Sequence, residues 1–219
     1  GEDVVAPYLW SRGLESLDVV VLTHAHEDHL GGLPRILEDF HPSELWVGIN
    51  PPTPELLNLY DIAAAKHIPV QKHIAGEQFD WGGTKIRVLA PPADWQPKPK
   101  HTNDDSLALL IGYGETKALL AGDLEKKMEQ FVASESPRAD LLKVTHHGSA
   151  TSTIPQFLDA VHPRFAVISA GYQNPFGHPR QVVLDRLQAA DVRTYRTDIQ
   201  GAVTFLLDGK RVEACVQPH

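Results

Sequence analysis

Residues 18–32 read DVVVLTHAHEDHLGG. The compact β-branched run from Asp18 to Leu22, ending at Thr23, has the composition of a buried strand. Directly after it come His24, His26, Asp28 and His29, four metal-ligating side chains within six residues. Neutral imidazole and carboxylate together suit borderline and hard divalent ions. Neither a strand nor a helix would turn all four side chains inward. A tight loop at a strand end can, and Gly31-Gly32 lets the backbone turn away closely. A solvated polar loop is the plain alternative, and the neighbouring buried strand argues against it.

Composition narrows the setting of that loop. The 219 residues carry 20 Lys+Arg against 28 Asp+Glu, a net charge of -8, with 42% hydrophobic residues. This fits one globular domain over residues 1–219 and excludes a disordered tail. The acidic balance argues against a protein that grips nucleic acid over its whole surface, but not against a local phosphate site. No apolar run approaches the roughly 20 residues of a membrane span. Gly1 to Trp10 has neither the basic start nor the apolar stretch of a secretory signal. A single cysteine, Cys215, excludes an internal disulfide and a thiolate metal cage. The 12 histidines stand out, and their positions decide the reading.

The rest of the chain alternates short strands and helices. Helices are predicted over Leu30–Phe40, from Thr53-Pro54-Glu55 to Lys66, over Leu124–Ala133 and Ile154–Val161, and from Pro179 to Ala190. Strands are predicted over Glu44–Gly48, Pro69–His73, Glu77–Asp80, Thr84–Leu89, Ser106–Ile111, Thr116–Leu120, Ala139–Val144 and Arg164–Ser169. Val192–Tyr195, Ala202–Leu206 and Arg211–Cys215 read as a C-terminal meander turned at Asp208-Gly209. Strands in two groups with interleaved helices imply two sheets flanked by helices.

Three further loops follow strands and carry ligand-type residues. In Ala121-Gly122-Asp123 the carboxylate is either a helix N-cap or a bridging metal ligand. In Thr145-His146-His147-Gly148-Ser149, adjacent histidines leaving a strand cannot both point one way. One of them ligates while the other orients or contacts substrate. In Asn174-Pro175-Phe176-Gly177-His178, the histidine is either functional or a capping and packing residue. His101, before a predicted strand, offers an extra ligand. His41, His67, His73, His162 and His219 have no ligand-type neighbours and read as ordinary surface or packing residues. Lys98, Lys100, Lys126 and Lys127 read as solvated faces.

The His24-x-His26-x-Asp28-His29 motif resembles the signature of the metallo-β-lactamase superfamily. NDDSLALLIGYGETKALLAGDLE (103–125), LLKVTHHGSATS (141–152), ISAGYQNPFGHP (168–179) and RTDIQGAVTF (196–205) narrow the resemblance. Together they are similar to the C-terminal metallo-hydrolase domain of ComEC-type DNA-internalisation competence proteins, from Val5 to about Phe205. The resemblance implies an α/β fold, a four-layer αββα sandwich. The family's N-terminal strand pair, with its Asp-Val-Gly-Gln-Gly-Asp motif, has no counterpart here. The sandwich is therefore expected without its N-terminal edge strands, by truncation or by loss in this member.

The same resemblance implies two divalent metal ions, Mn²⁺ or Zn²⁺. His24 and His26 would hold the first, Asp28 and His29 the second, and Asp123 would bridge them. His146 or His147 would complete a shell. His101 stands where the superfamily places a further histidine, although the competence branch often has an Asn-Asp-Asn-Ser type stretch there, read here as Asn103 to Ser106. Asp28 and His178 are the candidate catalytic residues, and Ser149, His178 and Lys143 the candidate phosphate contacts. The implied activity is a nuclease or phosphodiesterase degrading the non-imported DNA strand during natural transformation. Single-stranded DNA would be its substrate and a membrane channel domain its partner, at the extracytoplasmic face of the bacterial membrane. The alternatives are another phosphodiesterase or phosphocholine esterase of the superfamily, or a catalytically weak module binding DNA or a channel partner.

Overall fold

The valine run forms strand β1 (Val19–Leu22), with Val20 and Leu22 facing the core. The computed structural model describes residues 1–216, so His219 of the sequence reading lies outside them. The chain forms two compact units, one of Gly1–Ile74 with Pro91–Leu107, the other of Ala75–Ala90 with the chain from Ala108 onward.

In the first unit β1 is followed by α2 (Glu27–Leu30), α3 (Leu33–Phe40), β2 (Glu44–Val47), α4 (Pro54–Ala65) and β3 (Val70–Lys72). Helix α1 (Val5–Ser11) precedes them. The three strands are parallel in the order β1-β2-β3, and parallel neighbours need crossovers, which α3 and α4 supply. Leu22, Leu37, Phe40, Leu45 and Leu59 form the centre of its core. Helix α4 starts as its sequence predicts. The Thr53 hydroxyl accepts the Leu56 N–H at 3.3 Å, followed by Pro54 and the acidic Glu55.

Two features of this unit differ from expectation. A loop and then one helix from Leu30 are predicted; instead Glu27–Leu30 is already a helical turn, and Gly31-Gly32 separates it from α3. Acidic Glu27 and Asp28 suit the positive end of that short turn. Helix α1 is not predicted. Pro7 lies in the first turn, where proline costs little, while Ala6 is buried and Trp10 stacks on Phe40 at 5.6 Å.

The second unit runs β4 (Gln78–Trp81), β5 (Thr84–Ala90), β6 (Ala108–Tyr113), β7 (Thr116–Leu120), α5 (Lys126–Ser134), β8 (Leu141–Lys143), α6 (Pro155–Val161), β9 (Phe165–Ile168), α7 (Gln181–Ala189), β10 (Arg193–Arg196), α8 (Thr197–Gln200), β11 (Val203–Leu207) and β12 (Val212–Val216). Seven strands form one sheet in the order β10-β9-β8-β7-β6-β5-β4. Strands β4 to β7 pair antiparallel and β7 to β10 parallel. The parallel half matters for function: the carboxyl ends of β7, β8 and β9 lie side by side. Open α/β sheets place their ligands beyond such ends.

The predicted C-terminal meander is corrected. Residues 193–196 join β9 in parallel through α7, and only β11 and β12 form a hairpin. A parallel partner reached across a helix leaves no turn signal in the sequence. The hairpin packs Phe205, Leu207 and Val212 against Ala118, Leu141, Phe165 and Val167. Among the described residues, no helix is long and apolar enough to cross a membrane.

Candidate metal centre

In the first unit, the loop after β1 gathers imidazoles. His24 is fully buried, and its Nδ1 lies 3.2 Å from the hydroxyls of both Thr23 and Ser106. Thr23 Oγ1 also lies 3.0 Å from His29 Nδ1. The ring of His24 is 4.7 Å from that of His26 and 4.2 Å from that of His29. His101 joins them, its ring 4.3 Å from His26. The backbone of the loop is pinned, because Ala25 donates its N–H to Asn50 Oδ1 at 3.1 Å and Leu107 donates to the Thr23 carbonyl at 2.8 Å.

Ser106 reaches His24 because the turn before it is held rigidly. The buried Asp105 carboxylate accepts the Thr102 N–H at 2.6 Å and the Trp95 indole N–H at 2.8 Å. An imidazole nitrogen that carries no proton presents a lone pair to a metal ion. Buried His101 Nδ1 has no hydrogen-bond partner among the described residues, a vacancy that native proteins rarely leave without a role. This donor set fits a divalent cation, with Thr23 and Ser106 as hydroxyls that orient the ligands. Asp28 is largely exposed, its Oδ2 3.9 Å from His29 Nε2.

In the second unit, Asp123 follows β7 and is 2% exposed. Lys143, at the end of β8, donates from Nζ to Asp123 Oδ1 at 3.1 Å and to the Gly122 carbonyl at 3.0 Å. His147 Nδ1 lies 2.7 Å from the Ser169 carbonyl, and its Nε2 lies 3.2 Å from Asp123 Oδ2. A carbonyl only accepts, so Nδ1 carries a hydrogen. Nε2 therefore faces a carboxylate oxygen and needs a cation between them, either a second proton or a metal ion. The pair fits a metal ligated by both.

The two adjacent histidines diverge because both are left-handed, with φ of 45° at His146 and 53° at His147. Their rings are 68° apart, and His146 Nδ1 turns to Glu125 Oε1 at 3.3 Å. Buried Glu129 of α5 holds this turn from beneath. Its carboxylate accepts the Thr145 hydroxyl and the Thr153 N–H, each at 2.5 Å, and the Ile154 N–H at 2.9 Å. Burial pushes the Glu129 carboxyl above the usual glutamate range, against the opposing pull of those hydrogen bonds and of Arg186.

Gly148 closes the turn at φ 84°, and a Cβ there would lie 2.6 Å from Pro179 Cβ. Gly148→Ala is thus expected to lower stability by about 1–3 kcal/mol and to displace His147 from Asp123. A lower urea midpoint together with weaker metal binding would establish this; a variant with wild-type metal affinity would refute it.

The remaining predicted site residues of this unit are also placed. The His178 ring is 5.8 Å from that of His146, and its buried Nδ1 has no hydrogen-bond partner among the described residues. Burial, then the neighbouring His146 and Arg180, keep its pKa below the usual histidine value. Ser149 is buried, its hydroxyl 3.0 Å from that of Thr151. Of the histidines read as ordinary, His41 and His162 occupy left-handed positions at helix ends, His67 is left-handed just after α4, and His73 packs edge-on to Trp46.

Sequence reasoning missed the supporting layer: Thr23, Asn50, Asp105, Ser106, Glu125, Glu129 and Ser169. Thr23 and Ser106 adjoin singled-out motifs and could have been suspected. Glu129 and Ser169 carry no such signal, since only tertiary structure brings them to the histidines.

Residues 1–172 match the Metallo-beta-lactamase superfamily profile. The chain is 35% identical over 210 residues to ComE operon protein 3 of Bacillus subtilis (strain 168), covering 94% of this chain and 26% of that protein. It is 32% identical over 213 residues to Competence protein ComA of Neisseria gonorrhoeae, covering 96% and 28%. The chain therefore spans only about a quarter of the length of these relatives. Among solved structures it is similar to the metallo-beta-lactamase fold protein YhfI from Bacillus subtilis, with a TM-score of 0.55 and 14% identity over 90% of this chain and 81% of that one. That likeness extends to the fold alone. With the profile spanning most of its length, the chain belongs to the metallo-β-lactamase superfamily and is related to the competence proteins.

Proposed function

We propose that this chain is a metal-dependent phosphodiesterase that cleaves single-stranded DNA during DNA uptake. The observation that carries the metal chemistry is His147 Nε2 facing Asp123 Oδ2 at 3.2 Å while its Nδ1 is committed to a carbonyl. The relatives, one named for competence and one for the ComE operon, support the substrate class. By the same relation, the chain works beside a membrane channel domain at the extracytoplasmic face.

In this reading His24, His26, His29 and His101, with Asp28, would hold metal in the first unit. Asp123 and His147 would hold metal in the second. Bound divalent ions would supply Lewis-acid polarisation of a phosphoryl oxygen and an acidified water. Asp28, solvent-accessible, orients the attacking water and takes its proton at a carboxylate oxygen. Lys143 holds Asp123 in place and offsets its charge. His178, kept neutral by burial, donates a hydrogen bond to a phosphate oxygen, with His146 beside it. Thr23, Ser106 and the Ser169 carbonyl fix the orientation of the ligating rings.

The test is cleavage of a labelled single-stranded oligonucleotide by chelator-treated protein, with Mn²⁺ or Zn²⁺ added back. Cleavage is expected only with metal. Metal at about 100 times its dissociation constant should also stabilise the fold by about 2.7 kcal/mol, read as a raised melting temperature. A protein that melts identically with and without metal, or that cleaves fully in chelator, would refute the reading.

A further inference from the structure

The loop from Gly171 to His178, between β9 and α7, carries two large aromatic rings on its surface. Tyr172 is 78% exposed and Phe176 is 69% exposed. Isolated exposed apolar residues are ordinary on protein surfaces. These two differ because the loop that displays them is fastened by its own side chains. Asn174 accepts the His178 N–H at 3.0 Å and donates to the His178 carbonyl at 2.7 Å and to the Gly171 carbonyl at 3.0 Å. Asn174 N–H also donates to the Gly171 carbonyl, and Gly177 N–H to the Asn174 carbonyl. Gln173, at φ 50°, donates from its amide to the Tyr172 hydroxyl at 3.3 Å. The loop is thus stapled at both ends while its rings face solvent.

The position of the rings gives them a use. Phe176 lies nearly parallel to His178, with 18° between planes and 6.2 Å between centroids, and His178 is 5.8 Å from His146. His146 is followed by His147, which faces Asp123. A row of rings, the outer pair nearly parallel and the inner ones steeply inclined, therefore leads from solvent to Asp123. Arg180 adds a cation beside the loop, its guanidinium 3.4 Å from where a Cβ on Gly177 would sit. Exposed aromatics with an adjoining cation are how proteins hold unpaired nucleic-acid strands, because every base offers a flat face and every linkage a negative charge.

We infer that Tyr172 and Phe176 form a stacking platform for the bases of a single-stranded nucleic acid, flanking the phosphate that His178 contacts. The inference rests on the phosphodiesterase reading for the identity of the strand. It adds that the bases, and not the phosphates alone, are gripped. A duplex hides its base faces, so the platform selects single strands.

The experiment compares wild-type protein with the double variant Tyr172→Ala, Phe176→Ala, using fluorescence anisotropy with a labelled phosphorothioate oligothymidylate and an abasic strand of equal length. Both side chains are exposed, so the variant should melt with the wild type, and an unchanged melting temperature documents its fold. The expected result is affinity for oligothymidylate weaker by about 5- to 100-fold in the variant. The abasic strand should bind both proteins alike. Equal losses on both strands, or none on either, would overturn the platform. So would wild-type affinity for oligothymidylate in the variant together with lost binding to phosphatidylglycerol vesicles, which would assign the rings to a lipid surface. Metal-dependent cleavage by the wild type is scored separately. Cleavage without base-dependent binding refutes the platform alone, whereas base-dependent binding without cleavage supports the platform and refutes the phosphodiesterase reading.

Discussion

The Asp28→Ala protein is expected to cleave single-stranded DNA about 10²- to 10⁴-fold more slowly than the wild type, the usual contribution of a positioned acid or base. Asp28 is well suited to a clean test, because its side chain is 61% exposed and supports little packing. The variant should therefore fold and melt normally in the absence of metal. The loss should fall on kcat more than on KM, since the group acts on the attacking water rather than on the bound strand. Asp28→Asn separates its two proposed duties: it keeps the shape and removes the proton acceptor. Unchanged kcat in both variants would refute the assigned role. Asp123→Ala makes a useful contrast, since it strips Lys143 of an anionic partner at a buried position and should cost stability as well as activity.

The second large effect is on stability. Glu129→Ala is expected to destabilise the protein by about 3–5 kcal/mol, because it removes the acceptor of three buried donors and the nearby counter-charge of Arg186. Glu129→Gln keeps one carbonyl oxygen for those donors and should recover part of the loss. The two variants also differ from the wild type in pH dependence. The folded pKa of Glu129 lies above its ordinary value of 4.5, so between the two values the folded state binds the additional proton. The stability contributed by this group is complete below 4.5 and falls as pH rises through the folded pKa. Urea midpoints measured from pH 4.5 upward should show that decline in the wild type and a flatter course in Glu129→Gln. Identical slopes would refute it.

Much of the histidine cluster in the first unit was legible because its residues are local. His24, His26, Asp28 and His29 declare themselves by spacing, and a β-branched strand before them fixes where they stand. Two divergent rings at His146 and His147 could be foreseen from the adjacent pair, but not which ring turns to which acid. That depends on two successive left-handed residues, and nothing in Thr145-His146-His147 marks them as such. Glu129 looked like one of several charged residues on an ordinary helix. Its burial reflects the segment leading into α6, whose amides at Thr153 and Ile154 find their acceptor in Glu129. The C-terminal strands were misgrouped for a related reason. A hairpin announces itself at Asp208-Gly209, whereas the pairing of β10 with β9 spans a helix and leaves no local trace. Short-range chemistry was readable; the partners brought in by tertiary contact were not.

The first unit is assembled from two separated stretches of chain, with Ala75–Ala90 given to the other unit between them. On the ribosome, His24 and His26 emerge well before His101 and Ser106. At ordinary elongation rates the delay is about 4–15 s. During that interval the early histidines lack both the His101 ring and one of the hydroxyls that orient His24. Under the proposed assignment, the first unit's ligand set stays incomplete until synthesis has passed Leu107. If those histidines ligate metal, a nascent chain stalled before His101 should hold it far more weakly than one stalled well beyond Leu107, and the order of the sequence would then time the loading.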